Sequence, residues 1–172
     1  MQKKSFFTMA IAFTVFAVGL AACGASGKKG FAKAGDYDQY IISRINQMQQ
    51  TLFAAQKATG NEDSAVNLGK FVQQIDSLTK SLKELPDYKG NTSYRDAAIR
   101  LADFYKRSIS GSYTEIARVY KEVKDSTLAD NRVNELIIKL QEEETLADDA
   151  FVKEREAFAA KNQIQPDGEL AK

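Results

Sequence analysis

The chain has 172 residues with 24 basic and 23 acidic side chains, one cysteine and no histidine. A net charge of +1 supplies no broad field to draw the chain onto nucleic acid. Without histidine there is no Ser-His-Asp or Cys-His nucleophile system, and a single cysteine excludes an intrachain disulfide.

The first element is an apolar run from Phe6 to Ala22, preceded by Lys3 and Lys4 and broken only by Thr8, Thr14 and Gly19. It lies at the short end of the roughly 17–25 residues a spanning helix needs. Its basic start and small-residue exit are those of a cleaved export signal rather than a retained span. The run ends in Leu20-Ala21-Ala22-Cys23. This stretch resembles the signal peptide and lipobox of a bacterial lipoprotein precursor. The resemblance implies removal of residues 1–22 and acylation of Cys23 with fatty chains of the palmitate kind. One chain holds a protein only marginally, at about 0.8 kcal/mol per buried CH₂; the three chains of that family anchor it durably. Gly24 stands where the family's inner-membrane retention signal has aspartate, so the implied address is the cell outer membrane. Processing removes Lys3 and Lys4 and no acid, leaving a charge near −1 and no free thiol.

Residues 23–35 (CGASGKKGFAKAG) read as a lipidated flexible tether, whose Lys28, Lys29 and Lys33 suit a solvated linker or anionic headgroups. Asp36 is a good N-cap. Ile41, Ile45, Met48, Leu52 and Ala55 then step by four and three, one face of a helix that Gly60 ends. Asn61 caps a second helix with Ala65, Leu68, Val72, Ile75, Leu78, Leu82 and Leu85 on its apolar stripe, and Pro86 stops it. After an Asp87–Asn91 turn, Thr92 or Ser93 caps a third helix with the stripe Tyr94, Ala98, Leu101, Tyr105, Ser108, Ser112, Ile116, Val119 and Val123. Gly111 within Ser108–Ser112 is its weak point, costing about 1 kcal/mol against alanine; a kink is expected there within one helix. A turn at Asp125–Leu128 leads to a fourth helix, with Thr127 and Asp130 spaced as a capping pair. Its stripe is Ala129, Val133, Leu136, Leu140, Glu143, Ala147, Ala150 and Phe158, with Phe151 alongside. Residues 163–172 carry no period and read as a disordered tail.

No segment alternates with period two. The expected architecture is all-α: an antiparallel four-helix bundle over 36–162, made of a shorter and a longer helical hairpin, behind the signal peptide. One end of the longer hairpin should project, and Glu143 there is either buried against a cation or left wet.

Candidate sites are few. A ferritin-like centre needs two Glu-x-x-His pairs and is impossible here. Glu142-Glu143-Glu144, Asp148, Asp149, Glu154 and Glu156 offer oxygens to a hard cation, but consecutive glutamates point around a helix and read as a solvated face. No metal or cofactor is expected. Ser77-Leu78-Thr79-Lys80 matches the Ser-x-x-Lys of penicillin-recognising enzymes without its partner elements. Asn91-Thr92-Ser93 fits a glycosylation sequon but reads better as turn plus cap. Tyr94, Phe104, Tyr105, Tyr113 and Tyr120 crowd the third helix and read as core, with hydroxyls reaching water.

Tyr94-Arg95-Asp96-Ala97-Ala98, Phe104-Tyr105-Lys106, Asp148-Asp149-Ala150-Phe151 and Glu156-Ala157-Phe158-Ala159 resemble segments of a family of small helical bacterial surface lipoproteins of uncharacterised function. The resemblance covers roughly 36–162. It implies a bundle on the cell envelope and a functional residue only at Cys23, the lipidation site. The expected function is non-catalytic: a membrane-anchored bundle that binds a protein or envelope component, and no nucleic acid. The alternatives are a periplasmic scaffold or holdase, marked by an apolar groove, and a histidine-free hydrolytic enzyme, marked by converging carboxylates of raised pKa.

Overall fold

The computed structural model describes residues 30–59 and 68–165. Cys23, the Gly60 stop, the Asn61 cap, Ala65 and most of the expected tether and tail lie outside the described residues. Among the described residues the chain is helical, and the backbone shows only an isolated bridge between Tyr88 and Asn91 instead of a strand.

Helix α1 spans Ala34–Thr59, beginning two residues before the expected cap. Asp36 lies in its first turn, where its charge still complements the helix dipole. The expected stripe Ile41, Ile45, Met48, Leu52 and Ala55 is buried. Packing starts earlier than the stripe implied. Phe31 lies edge-on to Tyr37 at 5.8 Å between centroids and 5.4 Å from Tyr40, so an aromatic contact seats the last residues read as tether.

Helix α2 spans Gly69–Lys83 and ends before Pro86, as the ring's clash with the preceding residue requires. Phe71, Ile75 and Leu82 are buried with Thr79, whose hydroxyl donates to the Ile75 carbonyl at 2.7 Å. The connection to the next helix, residues 84–92, is built around a two-residue turn. Tyr88 and Asn91 exchange both backbone hydrogen bonds, at 3.2 and 3.0 Å, around Lys89 at φ 50° and Gly90 at φ 78°. Paired positive φ angles are the type I′ geometry that favours glycine. The Asn91 carboxamide then accepts from the Ser93 amide at 2.9 Å. The Asn-Thr-Ser stretch is thus a turn and helix start.

Helix α3 spans Ser93–Ser108, a π-turn takes in Ile109–Tyr113, and α4 covers Thr114–Glu122. The junction residues all keep right-handed helical angles, so the three run on as one rod. The interruption sits at the expected weak point and takes the form of a wider turn. It carries Tyr113 into the core, where the α-helical stripe placed Ser112. The Thr114 hydroxyl donates to the Ile109 carbonyl five residues back, at 3.1 Å, serving an oxygen in the wider turn.

Helix α5 spans Ser126–Asn162, 37 residues or roughly 55 Å. Its cap is Asp125, which accepts from the Leu128 amide at 3.0 Å. The expected capping pair of Thr127 and Asp130 is therefore unused, and the helix starts two residues before Leu128. It closes with Gln163 in the left-handed conformation and a hydrogen bond from the Ile164 amide to the Ala159 carbonyl, the backbone pattern of a Schellman end.

With the α3–α4 rod taken as one, successive helices alternate in direction, which gathers the starts of α1 and α3 and the ends of α2 and α5 at one end. The central α3 packs against α1, α2 and α5, and α1 against α2, while α1 and α5 meet at few points. The bundle is therefore well closed on three sides and sparsely on the fourth. Leu101 is 1% exposed. Leu136, expected as an equal anchor, is only half-buried, and Ala150 and Glu143 are exposed. Glu143 pairs in solvent with Lys139 at 3.9 Å. Among the described residues no helix is long and apolar enough to cross a membrane.

Candidate functional site

The buried seam of α5 includes Leu140, Phe151, Arg155 and Phe158. Glu144 and Asp148 fall on the same seam, half-buried, in two of the turns between Leu140 and Phe151. Polar groups therefore enter the bundle at two levels.

At the level nearer the tether, Asp38 and Arg155 form an ion pair with side chains only 4% and 8% exposed. Arg155 donates from Nε to Oδ1 at 2.9 Å and from Nη2 to Oδ2 at 2.8 Å. The Tyr94 hydroxyl adds a 2.6 Å bond to Asp38 Oδ1. Burial would favour the neutral guanidine, but the Asp38 carboxylate outweighs it and raises the Arg155 pKa. Burial and the same carboxylate push the Tyr94 phenol well above its ordinary range. The phenol therefore stays protonated and acts as a donor. Aromatic rings pack beside the pair, with Phe158 lying 5.4, 5.5 and 5.1 Å from Tyr37, Tyr88 and Tyr94. The Tyr37 hydroxyl reaches the Pro86 carbonyl at 3.2 Å, and burial raises its pKa to about 12. These bonds tie α1, α3 and α5 and the α2–α3 connection together.

The second level is different. Tyr105 on α3 is fully buried and donates to Asp148 Oδ1 at 3.2 Å. The Gln49 side chain on α1 lies near the same hydroxyl and opposes the rise of its pKa, while its carbonyl oxygen is buried without a hydrogen-bond partner. Glu144 is one turn before Asp148. Burial, and then the Asp148 charge, raises the Glu144 pKa. Burial also raises Asp148, with Asp149 adding to the rise and the Tyr105 hydrogen bond opposing it. Burial, with Glu144, lifts Tyr113 to about 12. Chemically this layer is a pair of carboxyls held toward their protonated forms, beside a phenol and a carboxamide.

Other expected positions are distributed differently. Ser77 and Lys80 are both exposed, and Lys80 faces Glu84 at 3.8 Å on the surface. Of the aromatic cluster, Tyr94, Phe104, Tyr105 and Tyr113 are buried, whereas Tyr120 is 41% exposed. The hydroxyls of Tyr94 and Tyr105 meet carboxylates rather than the water expected for them. The run Glu142-Glu143-Glu144 splits by helical angle, with only its third member turned into the seam. Among the described residues no three Asp, Glu, His or Cys side chains come together as a metal site would require. No protein-family model matches the chain, and no curated protein or solved structure is detectably similar to it.

Sequence reasoning missed Asp38, Gln49 and Arg155 and placed Asp148 on a wet face. Helical spacing carried the signal. Arg155 lies four residues after Phe151 and three before Phe158, and Asp38 lies three before Ile41 and seven before Ile45. Each is therefore a seam position.

Proposed function

We propose that the chain is a lipid-anchored protein of the bacterial envelope whose helical bundle binds a protein or another envelope component without catalysis. The observation that carries this reading is the distance from anchor to fold. Cys23 follows Leu20-Ala21-Ala22, and eight residues later Phe31 is packed on Tyr37 and Tyr40. Fully extended, that stretch spans at most about 28 Å, so an acylated Cys23 holds the bundle close to its membrane. The level nearer the tether supports the same reading, because the Asp38 carboxylate is engaged inside the bundle by Arg155 and Tyr94. Crosslinking on intact cells, with recovery of the chain and its partner by mass spectrometry, tests it. A defined partner captured by the wild type and reduced in Cys23→Ala is the expected result. Identical capture by the unanchored variant overturns the membrane-dependent part, and absence of any reproducible partner overturns the binding part.

One observation favours a second reading, a histidine-free hydrolytic enzyme. Glu144 and Asp148 adjoin one another with raised pKa values beside Tyr105, the direction in which a carboxyl is tuned to serve as a general acid. The paired change Glu144→Gln and Asp148→Asn separates the readings. It leaves partner capture intact in the first and abolishes hydrolysis of a panel of ester and glycan substrates in the second.

A further inference from the structure

We infer that the outer face of α5 is a self-association surface, on which a second copy of the chain packs its own α5 in the antiparallel direction about a two-fold axis at residue 137. The inference begins with the rotation of the helix. Val133 and Leu140 are buried in the bundle, and the residues just before them, Arg132 and Lys139, are exposed. One residue is about 100° of helix, so Arg132 and Lys139 mark a face turned to solvent. Leu128, Arg132, Glu135, Lys139, Glu142 and Leu146 follow one another on this face at steps of four and three, the repeat along which two helices supercoil. All six are exposed. Leu128 and Leu146, at the two ends, leave 46% and 71% of their surface in water.

Charge complementarity names the occupant. Between the two leucines the seam alternates in sign, basic at Arg132 and Lys139 and acidic at Glu135 and Glu142. In a parallel pair in register each residue would meet its own copy, and all four charged layers would set like against like. Turned antiparallel about residue 137, Arg132 faces the second copy's Glu142, Glu135 faces the second copy's Lys139, and Leu128 faces the second copy's Leu146. Each pairing occurs twice, as an isologous interface requires. Sliding one copy by a heptad sets a leucine against Lys139 or Glu135, so the same order of residues selects both direction and register. Beside the axis the flanks are apolar. Ile138, 57% exposed, lies on one side and half-buried Leu136 on the other, each next to its own copy. Lys139 has three quarters of its side chain in solvent and only a 3.9 Å contact with Glu143 of its own helix, so it is free to turn outward.

Charged residues at seam positions specify register at a cost in stability, so the pair is weak and concentration-dependent. It does not depend on the anchor. For chains held on one membrane as proposed above, confinement raises the effective concentration that a weak seam needs. Arg155, near the tether, lies 18 residues from the axis, about 27 Å. The two tether ends therefore sit on opposite sides of the axis and reach one bilayer when α5 lies along its surface.

Disulfide trapping in membranes of cells expressing the full-length chain tests the pair, with the unsubstituted chain as the control for Cys23. Ile138→Cys places a thiol beside the axis and should crosslink to itself. Leu128→Cys and Leu146→Cys should give little homodimer alone, and several-fold more heterodimer when co-expressed under different tags. In the Ile138→Cys background, Arg132→Glu should lower the crosslinked yield several-fold, and Arg132→Glu with Glu142→Arg should restore it. The inference is overturned if Ile138→Cys crosslinks no more than the unsubstituted chain, or if Leu128→Cys alone matches the mixture. It is also overturned if the single reversal leaves the yield unchanged or the second reversal fails to restore it. Should Arg132→Glu not fold, Glu135→Lys and its rescue by Lys139→Glu decide.

Discussion

Arg155 grips Asp38 through two hydrogen bonds, one to each carboxylate oxygen, and the two residues are 117 positions apart in the chain. The pair fixes the register of the last helix on the first at the end of the bundle nearest the tether. Desolvation makes such a pair weak as a net source of stability, yet costly to break on one side only. Asp38→Asn or Arg155→Met should each destabilise the bundle by about 3–5 kcal/mol in urea titrations. The double change Asp38→Leu with Arg155→Met should recover most of that loss. Tyr94→Phe keeps the ring and deletes one donor to the carboxylate, and should cost about 1.5–3 kcal/mol. A double mutant as unstable as the singles contradicts this account.

The two leucines on the long helices should respond unequally. Leu101→Ala empties a fully buried site and should cost about 2–5 kcal/mol, whereas half-buried Leu136→Ala should fall below that range. Ser77→Ala and Lys80→Ala change exposed positions and should stay within about 0.5 kcal/mol. Incubation with a β-lactam should leave Ser77 unmodified by mass spectrometry. Equal losses at the two leucines would mean that the α5 seam has been phased incorrectly.

The glycines make a second contrast. A Cβ built on Gly111 meets nothing within 4 Å, and its φ is not positive. Gly111→Ala should therefore stabilise the rod by about 0.5–1 kcal/mol through helix propensity. Gly90 also has open space, but its φ is +78°, and Gly90→Ala should cost about 1–2 kcal/mol in that left-handed conformation. Thermal melts of the two variants should shift in opposite directions.

At the anchor, Cys23→Ala should abolish labelling by an alkyne fatty acid and move the protein out of the detergent phase. Equal labelling of wild type and variant would remove the lipoprotein reading. Because Gly24 is not aspartate, the wild type should sediment with outer-membrane fractions in a sucrose gradient. Recovery of the mature protein only from the inner membrane would contradict that address.

The helices were legible because their apolar residues recur at three- and four-residue steps, which only one face of a helix brings together. Ile41 to Ala55 and Tyr94 to Tyr105 needed no more than this spacing. The polar layers were harder to read because the same 3–4 spacing permits two positions after each anchor. Three residues beyond Leu140 is Glu143, and four beyond is Glu144. Only the rotation of α5 against α3 selects the second, and that rotation is set by tertiary packing. Arg155 was hidden for a chemical reason: an arginine four residues after a phenylalanine reads as surface until a buried partner is found. That partner, Asp38, lies at the other end of the chain. The bound on α1 was missed by two residues because Phe31 is held by aromatic stacking, which leaves no periodic trace in so short a segment.

The π-turn at Ile109–Tyr113 makes helix content a poor witness to correct folding here. Its wider turn accommodates a residue more than an α-turn, and one residue corresponds to roughly 100° of rotation about the axis. Deleting a residue within 109–113 should let the rod close into uninterrupted α-helix, with every backbone hydrogen bond satisfied. Ile116 and Val119, now buried, would swing about a quarter-turn out of the core, and the polar side of α4 would turn toward α5. The far-ultraviolet spectrum would barely change while the bundle lost that end. Screening variants of this chain for foldedness therefore calls for a tertiary signal, such as near-ultraviolet tyrosine dichroism or side-chain chemical shifts.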